Sequence, residues 1–263
     1  MVKPEICSPL YKKNKKYTCY NNNHLYQLKH KYNRTHKKKI NTNNPVDIWK
    51  ELESKLTKCK KESCWAKELD VPVDEVFAPK SPSSWKKNKN EWLSSLEITD
   101  VLEQYEKTYP HFKYIGPSPS DYDFKEEDGQ CVWPELCEFD VNNTKYTDIG
   151  IVFNIDEHEG EGIHWVSMFI DRRKKIIYYF DSAGDKIIKN IKKFVTQVQG
   201  QDSSYKFVEN HPKEHQFKDS ECGMYALFFI ITMLKTHNYD YFKGKTTFPD
   251  EKIEKLRKKY FNS

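Results

Sequence analysis

The chain predicts an α+β fold, and the order of its hydrophobic patterns is the reason. Helical periodicity comes first, strand-like runs cluster between residues 148 and 181, and apolar or amphipathic helical segments follow. No internal repeat is present. Helices packed on a mixed central sheet fit this order.

Residues 1–45 are rich in Lys, Asn, Tyr and His and lack a sustained apolar period, so they read as an extended or weakly ordered arm. A helix begins at Asn44-Pro45-Val46-Asp47, with Ile48, Trp49, Leu52 and Leu56 recurring at three and four. The prolines and serines of residues 71–91 suggest a linker. Trp92 and Leu93 open the next segment. Ser95 and Leu96 start a helix with Ile98, Val101, Leu102 and Tyr105 on one face, and Tyr109-Pro110 ends it. Residues 116–145 read as loop-rich.

Ile149–Phe153 reads as a buried strand, followed by an acidic loop, Asp156–Gly162. His164–Asp171 and Ile176–Asp181 are two further strands joined by the basic turn Arg172–Lys175, which makes a hairpin. Gly184 breaks the chain. A helix follows with Ile187, Ile188, Ile191, Phe194, Val195 and Val198 inward, then a fourth strand at 205–208. Asp219–Gly223 opens an apolar helix running to about Lys235. Pro249-Asp250-Glu251 begins a last helix with Ile253, Leu256 and Tyr260 inward.

Composition narrows the functional classes. The 263 residues include 17 Tyr, 15 Phe and 6 Trp, far too many aromatics for a disordered chain. Net charge is +5, but no acid lies between Glu5 and Asp47, where ten Lys and Arg residues from Lys12 to Lys39 gather. A solvated tail is the favoured reading of this basic arm, with a weak nucleic-acid contact as the alternative. Met1-Val2-Lys3-Pro4 is not followed by a secretory apolar stretch, and no run approaches a membrane span. Seven cysteines without a dense framework therefore suggest free thiols in a reducing compartment. Cys59 and Cys64 lack a second Cys or His pair, and Cys131 and Cys137 are too loosely spaced to supply one, so no metal or cofactor is expected.

One constellation carries chemistry. Cysteine nucleophiles need a base to form the thiolate and a group to orient that base. Cys222 stands where a helix begins, and the amide dipoles there favour an anion. His164 starts one strand of the hairpin and Asp181 ends the next, so the two are brought side by side. Gln216, six residues before Cys222, could donate to an oxyanion together with the Cys222 N–H. Trp165 could wall the site from water. Taken singly, each residue has a plainer reading: a small buried Cys, a structural His, a turn Asp. The joint order gives the reading its force.

Gly162-Ile163-His164-Trp165, Tyr179-Phe180-Asp181-Ser182 and the run from Gln216 to Tyr225 resemble the motifs of the Ulp/SENP-type and adenain-type cysteine proteases. Within that clan the chain looks most like the proteases of large nucleocytoplasmic DNA viruses, of the African swine fever virus type. The resemblance implies a papain-like, Ulp-like core over residues 91–263 behind a basic, partly helical arm over residues 1–90. It implies Cys222 as nucleophile, His164 as general base and acid, Asp181 as orienting carboxylate, Gln216 as oxyanion donor and Trp165 as a cover over the substrate. Trp133 is a further candidate wall, although a core or surface aromatic is the commoner role. The implied activity is cleavage after Gly in viral structural precursors during virion maturation, in virions and host cytoplasm. Two alternatives stay open: a deSUMOylating or deubiquitinating isopeptidase, and a non-catalytic module binding a ubiquitin-like protein or nucleic acid.

Overall fold

The computed structural model describes residues 2–11, 17–73 and 75–263. The chain forms two compact units, Met1–Ser81 with Lys258–Ser263, and Pro82–Arg257.

In the first unit, α1 (Asn22–Thr35), α2 (Pro45–Lys55) and α3 (Ser63–Glu68) enclose a small core. Helix α1 replaces the extended arm expected from the sequence. Its buried residues are Leu25, Leu28 and Tyr32, a stripe too sparse to stand out among Lys, Asn and His. Packing of that stripe beside Ile48 and Leu52 supplies what intrinsic propensity does not. The Asn21 side chain caps α1 by accepting the His24 N–H at 2.8 Å. Asn44 caps α2 in the same way at Val46, with Pro45 at the first helical position. Of the arm's cations, Lys12, Lys13, Lys15 and Lys16 lie outside the described residues. Lys29 is spent on the Thr42 carbonyl at 2.7 Å.

The stretch expected to be a linker is also structured. Ala78 donates to Ile6 O at 2.8 Å, and Ser8 to Val76 O at 3.0 Å. Asn262 closes the unit from the far end of the chain. Its side chain accepts from Ile6 N–H at 2.6 Å and donates to Ile6 O and Ala78 O, each at 2.9 Å.

The cysteines differ from the free thiols expected. Cys7–Cys19, Cys59–Cys64 and Cys131–Cys137 are disulfides, and Cys222 is the one free thiol. Sequence spacing cannot reveal pairing, because Cα separations of 5.2, 5.5 and 6.4 Å are set by the fold. Among the described residues no cluster of His, Cys, Asp and Glu could hold a metal.

After a short 3-10 turn at Ser83–Lys86, the second unit continues with α4 (Ser95–Thr108), held by a capping box between Ser94 and Glu97. It continues through β1 (Phe112–Ser118), α5 (Pro134–Cys137), β2 (Asp148–Asn154), β3 (Trp165–Asp171), β4 (Ile176–Phe180), α6 (Lys189–Gln201), β5 (Lys206–Glu209), α7 (Cys222–Thr236), α8 (Asp240–Lys243) and α9 (Asp250–Glu254). The described residues form one five-stranded mixed sheet in the order β1-β2-β3-β4-β5. Strands β2, β3 and β4 are antiparallel, while β1 and β5 run parallel to their neighbours. The expected hairpin is β3–β4. Strand β1 replaces part of the stretch read as loop, and the expected last helix is broken into α9 and a short α10 (Arg257–Tyr260).

Both faces of the sheet are covered. Helix α6 packs Ile191, Phe194, Val195 and Val198 against Ile151, Phe153, Met168 and Ile170. Helix α7 covers the other face, stacking Phe229 on Phe180 with ring centroids 5.0 Å apart. Double coverage explains why β2 reads as one unbroken apolar run. A Cβ on Gly150 would meet the Phe112 ring at 2.8 Å and Ile230 Cγ2 at 2.9 Å, so glycine lets α7 approach β2 closely. No described helix is long and apolar enough to cross a membrane.

Candidate active site

The hairpin register builds the first half of the site. Ser167 of β3 pairs with Phe180 of β4, so the residues just outside the ladder, His164 and Asp181, meet at one edge. His164 Nε2 lies 2.7 Å from Asp181 Oδ1. A carboxylate only accepts, so Nε2 carries the proton and Nδ1 is the nitrogen left for the thiol. Asp181 is itself fixed. Its Oδ1 also accepts the Ala183 N–H at 2.8 Å. Asn210, which is fully buried, accepts the Asp181 N–H at 2.9 Å and donates to the Asp181 carbonyl at 2.7 Å.

The second half comes from α7. Cys222 is its first residue, only 2 % exposed, and it stands close enough to the His164 ring to influence its charge. Burial pulls the His164 pKa down, but hydrogen bonds and charges from Asp181 and Cys222 outweigh it and raise the group to about 10. The imidazolium is thus the resting form across neutral pH. The first-turn amides of α7 have no carbonyl one turn back to bond. Glu221, at the N-cap, makes no side-chain cap bond to them, and its buried carboxylate turns to Arg257 instead.

Gln216 reaches the same neighbourhood through Ser182. Its Oε1 accepts the Ser182 hydroxyl at 2.7 Å, and its backbone N–H donates to Ser182 O at 2.9 Å. One Nε2 hydrogen bonds the Lys218 carbonyl, which leaves one for an incoming oxygen.

Trp165 donates its indole N–H to Leu93 O at 2.8 Å. Trp165 and Leu93 press on the start of α7, because a Cβ on Gly223 would sit 3.2 Å from Trp165 Cδ1 and 2.9 Å from Leu93 Cβ. Both residues line a cleft of about 580 Å³, with Trp92, Trp133, Pro117 and Glu157 among its other walls. Trp133 therefore does face the cleft. His158 also lines it and is held by Asp121, Nδ1 to Oδ2 at 2.6 Å.

His164 and Asp181 share a hydrogen bond, Cys222 acts on the charge of His164, Trp165 sits against Gly223 beside Cys222, and Gln216 is tied to Ser182 next to Asp181. Sequence reasoning missed Asn210, Arg257 and the Leu93 carbonyl. No local pattern marks them, since each acts through a partner distant in sequence.

The Ulp1 protease family, C-terminal catalytic domain, matches residues 103–263. The chain belongs to this family of cysteine proteases. A thiol protease of Acanthamoeba polyphaga mimivirus is 34 % identical over 178 residues, which cover 63 % of this chain and 54 % of that protein. The match thus spans about half the length of that relative. A protein of African swine fever virus named SUMO-1 cysteine protease is 26 % identical over 243 residues, covering 81 % of this chain and 89 % of the relative. The crystal structure of the African swine fever virus protease superposes with a TM-score of 0.70 at 20 % identity, over 99 % of this chain and 97 % of that one. This Ulp1-family chain therefore shares that protease's fold along almost its whole length.

Proposed function

We propose that the protein is a viral cysteine endopeptidase that cleaves after Gly in structural precursor proteins, with Cys222, His164 and Asp181 as its triad. The observation that carries the reading is the Asp181–His164 hydrogen bond beside the lone free thiol at the start of α7, which adds to the rise in the His164 pKa. Cys222 Sγ, its proton held on His164 Nδ1, attacks the scissile carbonyl carbon, and the oxyanion takes the Cys222 N–H and the remaining Gln216 Nε2 hydrogen. His164 Nδ1 passes its proton to the leaving amine as the C–N bond breaks, giving a thioester. Water then gives a proton to His164 and attacks the thioester, which frees the new carboxyl end and returns the thiolate beside the imidazolium. Asp181 holds the ring in one orientation and balances its charge throughout.

Selection for Gly is supported by the crowding around the nucleophile. Cys222 is 2 % exposed, and Leu93 and Trp165 close on Gly223 beside it. A residue without a side chain fits such a passage.

A second reading, removal of ubiquitin-like proteins from conjugates, is favoured by the name of the African swine fever virus relative. One experiment separates them: wild type and Cys222→Ala are treated with a Gly-Gly-derived electrophile, a Gly-Gly-X peptide and a SUMO-derived fluorogenic substrate. Labelling and peptide cleavage that vanish in the Ala variant support the processing role. A strong preference for full-length SUMO supports deconjugation. Labelling that survives in Cys222→Ala refutes the triad.

A further inference from the structure

Glu221 is an unusual neighbour for a nucleophile. It precedes Cys222 directly and is fully buried, as is nearly all of Arg257, its partner. Arg257 Nε lies 3.3 Å from Glu221 Oε2, and Nη2 lies 3.2 Å from both carboxylate oxygens. The same Nη2 donates to Glu91 O at 2.8 Å, one residue before Trp92 and two before Leu93. The guanidinium also packs over the Trp85 ring, 4.5 Å from its centroid. One fork therefore grips both the start of α7 and the segment that supplies the cleft wall.

The position of Glu221 makes this grip matter. A carboxylate at an N-cap has unpaired amides within reach and a favourable dipole to meet. Those amides are the donors that an oxyanion needs. In this protein the Glu221 carboxylate makes no bond to them.

We infer that Arg257 is a positioning residue of the catalytic centre, holding the Glu221 carboxylate off the first-turn amides of α7 and cancelling its charge beside Cys222. The inference rests on Cys222 being the nucleophile. The charged groups facing this corner are His164 at Cys222, and Arg257 and Glu254 at Glu221, with Glu254 held by Lys218 at 2.9 Å. Burial raises the Glu221 carboxyl above its ordinary range and Arg257 works against that. Once Arg257 is removed, the carboxylate keeps the Ser220 hydroxyl, 3.3 Å from Oε1, and has acceptor capacity to spare for the first-turn amides.

The test compares Arg257→Met, Glu221→Met and the double variant, each checked for folding by thermal melting. Two activities are read: kcat and KM on a Gly-Gly-X peptide, and the pH midpoint of Cys222 alkylation by iodoacetamide. Arg257→Met is expected to lower kcat at least ten-fold and to move the alkylation midpoint upward. The double variant, with neither charge, recovers kcat to within about three-fold and returns the midpoint. A KM increase common to both variants reports the lost tie to Glu91. A double variant as impaired in kcat as Arg257→Met would show a merely structural role and overturn the inference, as would an unimpaired Arg257→Met. Should Arg257→Met fail to fold, Glu221→Met reads the same coupling with opposite sign. Its unmatched cation lowers the alkylation midpoint, and an unmoved midpoint refutes the inference. Cys222→Ala is run alongside: label that persists there overturns the nucleophile assignment itself, whatever the Arg257 variants do.

Discussion

Replacing Asp181 by Asn tests the electrostatic core of the site with little change in shape. The Asp181 carboxylate lies 2.7 Å from His164 Nε2, with 5 % of its side chain exposed. An opposite charge this close shifts a titrating partner by about 1–3 pH units, or roughly 1.4–4 kcal/mol. His164 stands at about 10 in the intact protein, with burial opposing the rise and Asp181 and Cys222 producing it. In Asp181→Asn the burial contribution is unchanged while the carboxylate's share is lost, so the imidazolium gives up its proton earlier. The assay is kcat/KM on a peptide substrate against pH, whose alkaline limb reports loss of the acid that protonates the leaving amine. That limb is expected to move down by about 1–3 units. The same group sets a stability window. Its folded pKa is raised, so its contribution is complete below about 6.5 and disappears as pH climbs toward about 10. An alkaline limb left in place by the substitution would refute the reasoning, because it would show that Asp181 does not sustain the His164 charge.

Gly223→Ala should cost about 1–3 kcal/mol by overpacking against Leu93 and Trp165, more than the under 1 kcal/mol that helix propensity returns. A urea midpoint that falls together with kcat/KM is the expected result, and wild-type kcat/KM would refute it. Asn210→Ala strips partners from the Asp181 amide and carbonyl, costing about 1–3 kcal/mol of stability. Denaturant unfolding reads that loss, and kcat drops as Asp181 loosens. Tyr225→Phe should destabilise by a similar margin, because its hydroxyl donates to the His215 and Phe248 carbonyls at 2.8 and 2.6 Å. Unfolded in guanidinium without reductant, the protein should take up iodoacetamide at Cys222 alone, and after reduction at all seven cysteines. Mass spectrometry counts the adducts, and label on any other cysteine before reduction contradicts that pairing.

The parts legible in the sequence are those with local signals. Strands β2 to β4 show as apolar runs because they are buried, and α7 as an apolar stretch because it is covered on all sides. The three triad candidates could be placed because each stands at an element boundary that the pattern itself marks. Strand β1 was hidden by Gly116-Pro117 near its end, which reads as a turn until the neighbouring β2 is known. Helix α1 was hidden by its polar composition. Asn210 and Arg257 were invisible for another reason. They bind Asp181 and Glu221 across 29 and 36 residues of sequence, and nothing local records such a partnership.

The return of residues 258–263 to the first unit bears on how the molecule is made. Asn262, which satisfies the carbonyls of both Ile6 and Ala78, lies 256 residues from the first and 184 from the second. Vectorial synthesis favours early segments only when their contacts are local. Here the bonds that Asn262 makes within the first unit form only after at least 184 further residues of chain exist, so this part of the unit is completed late rather than locally.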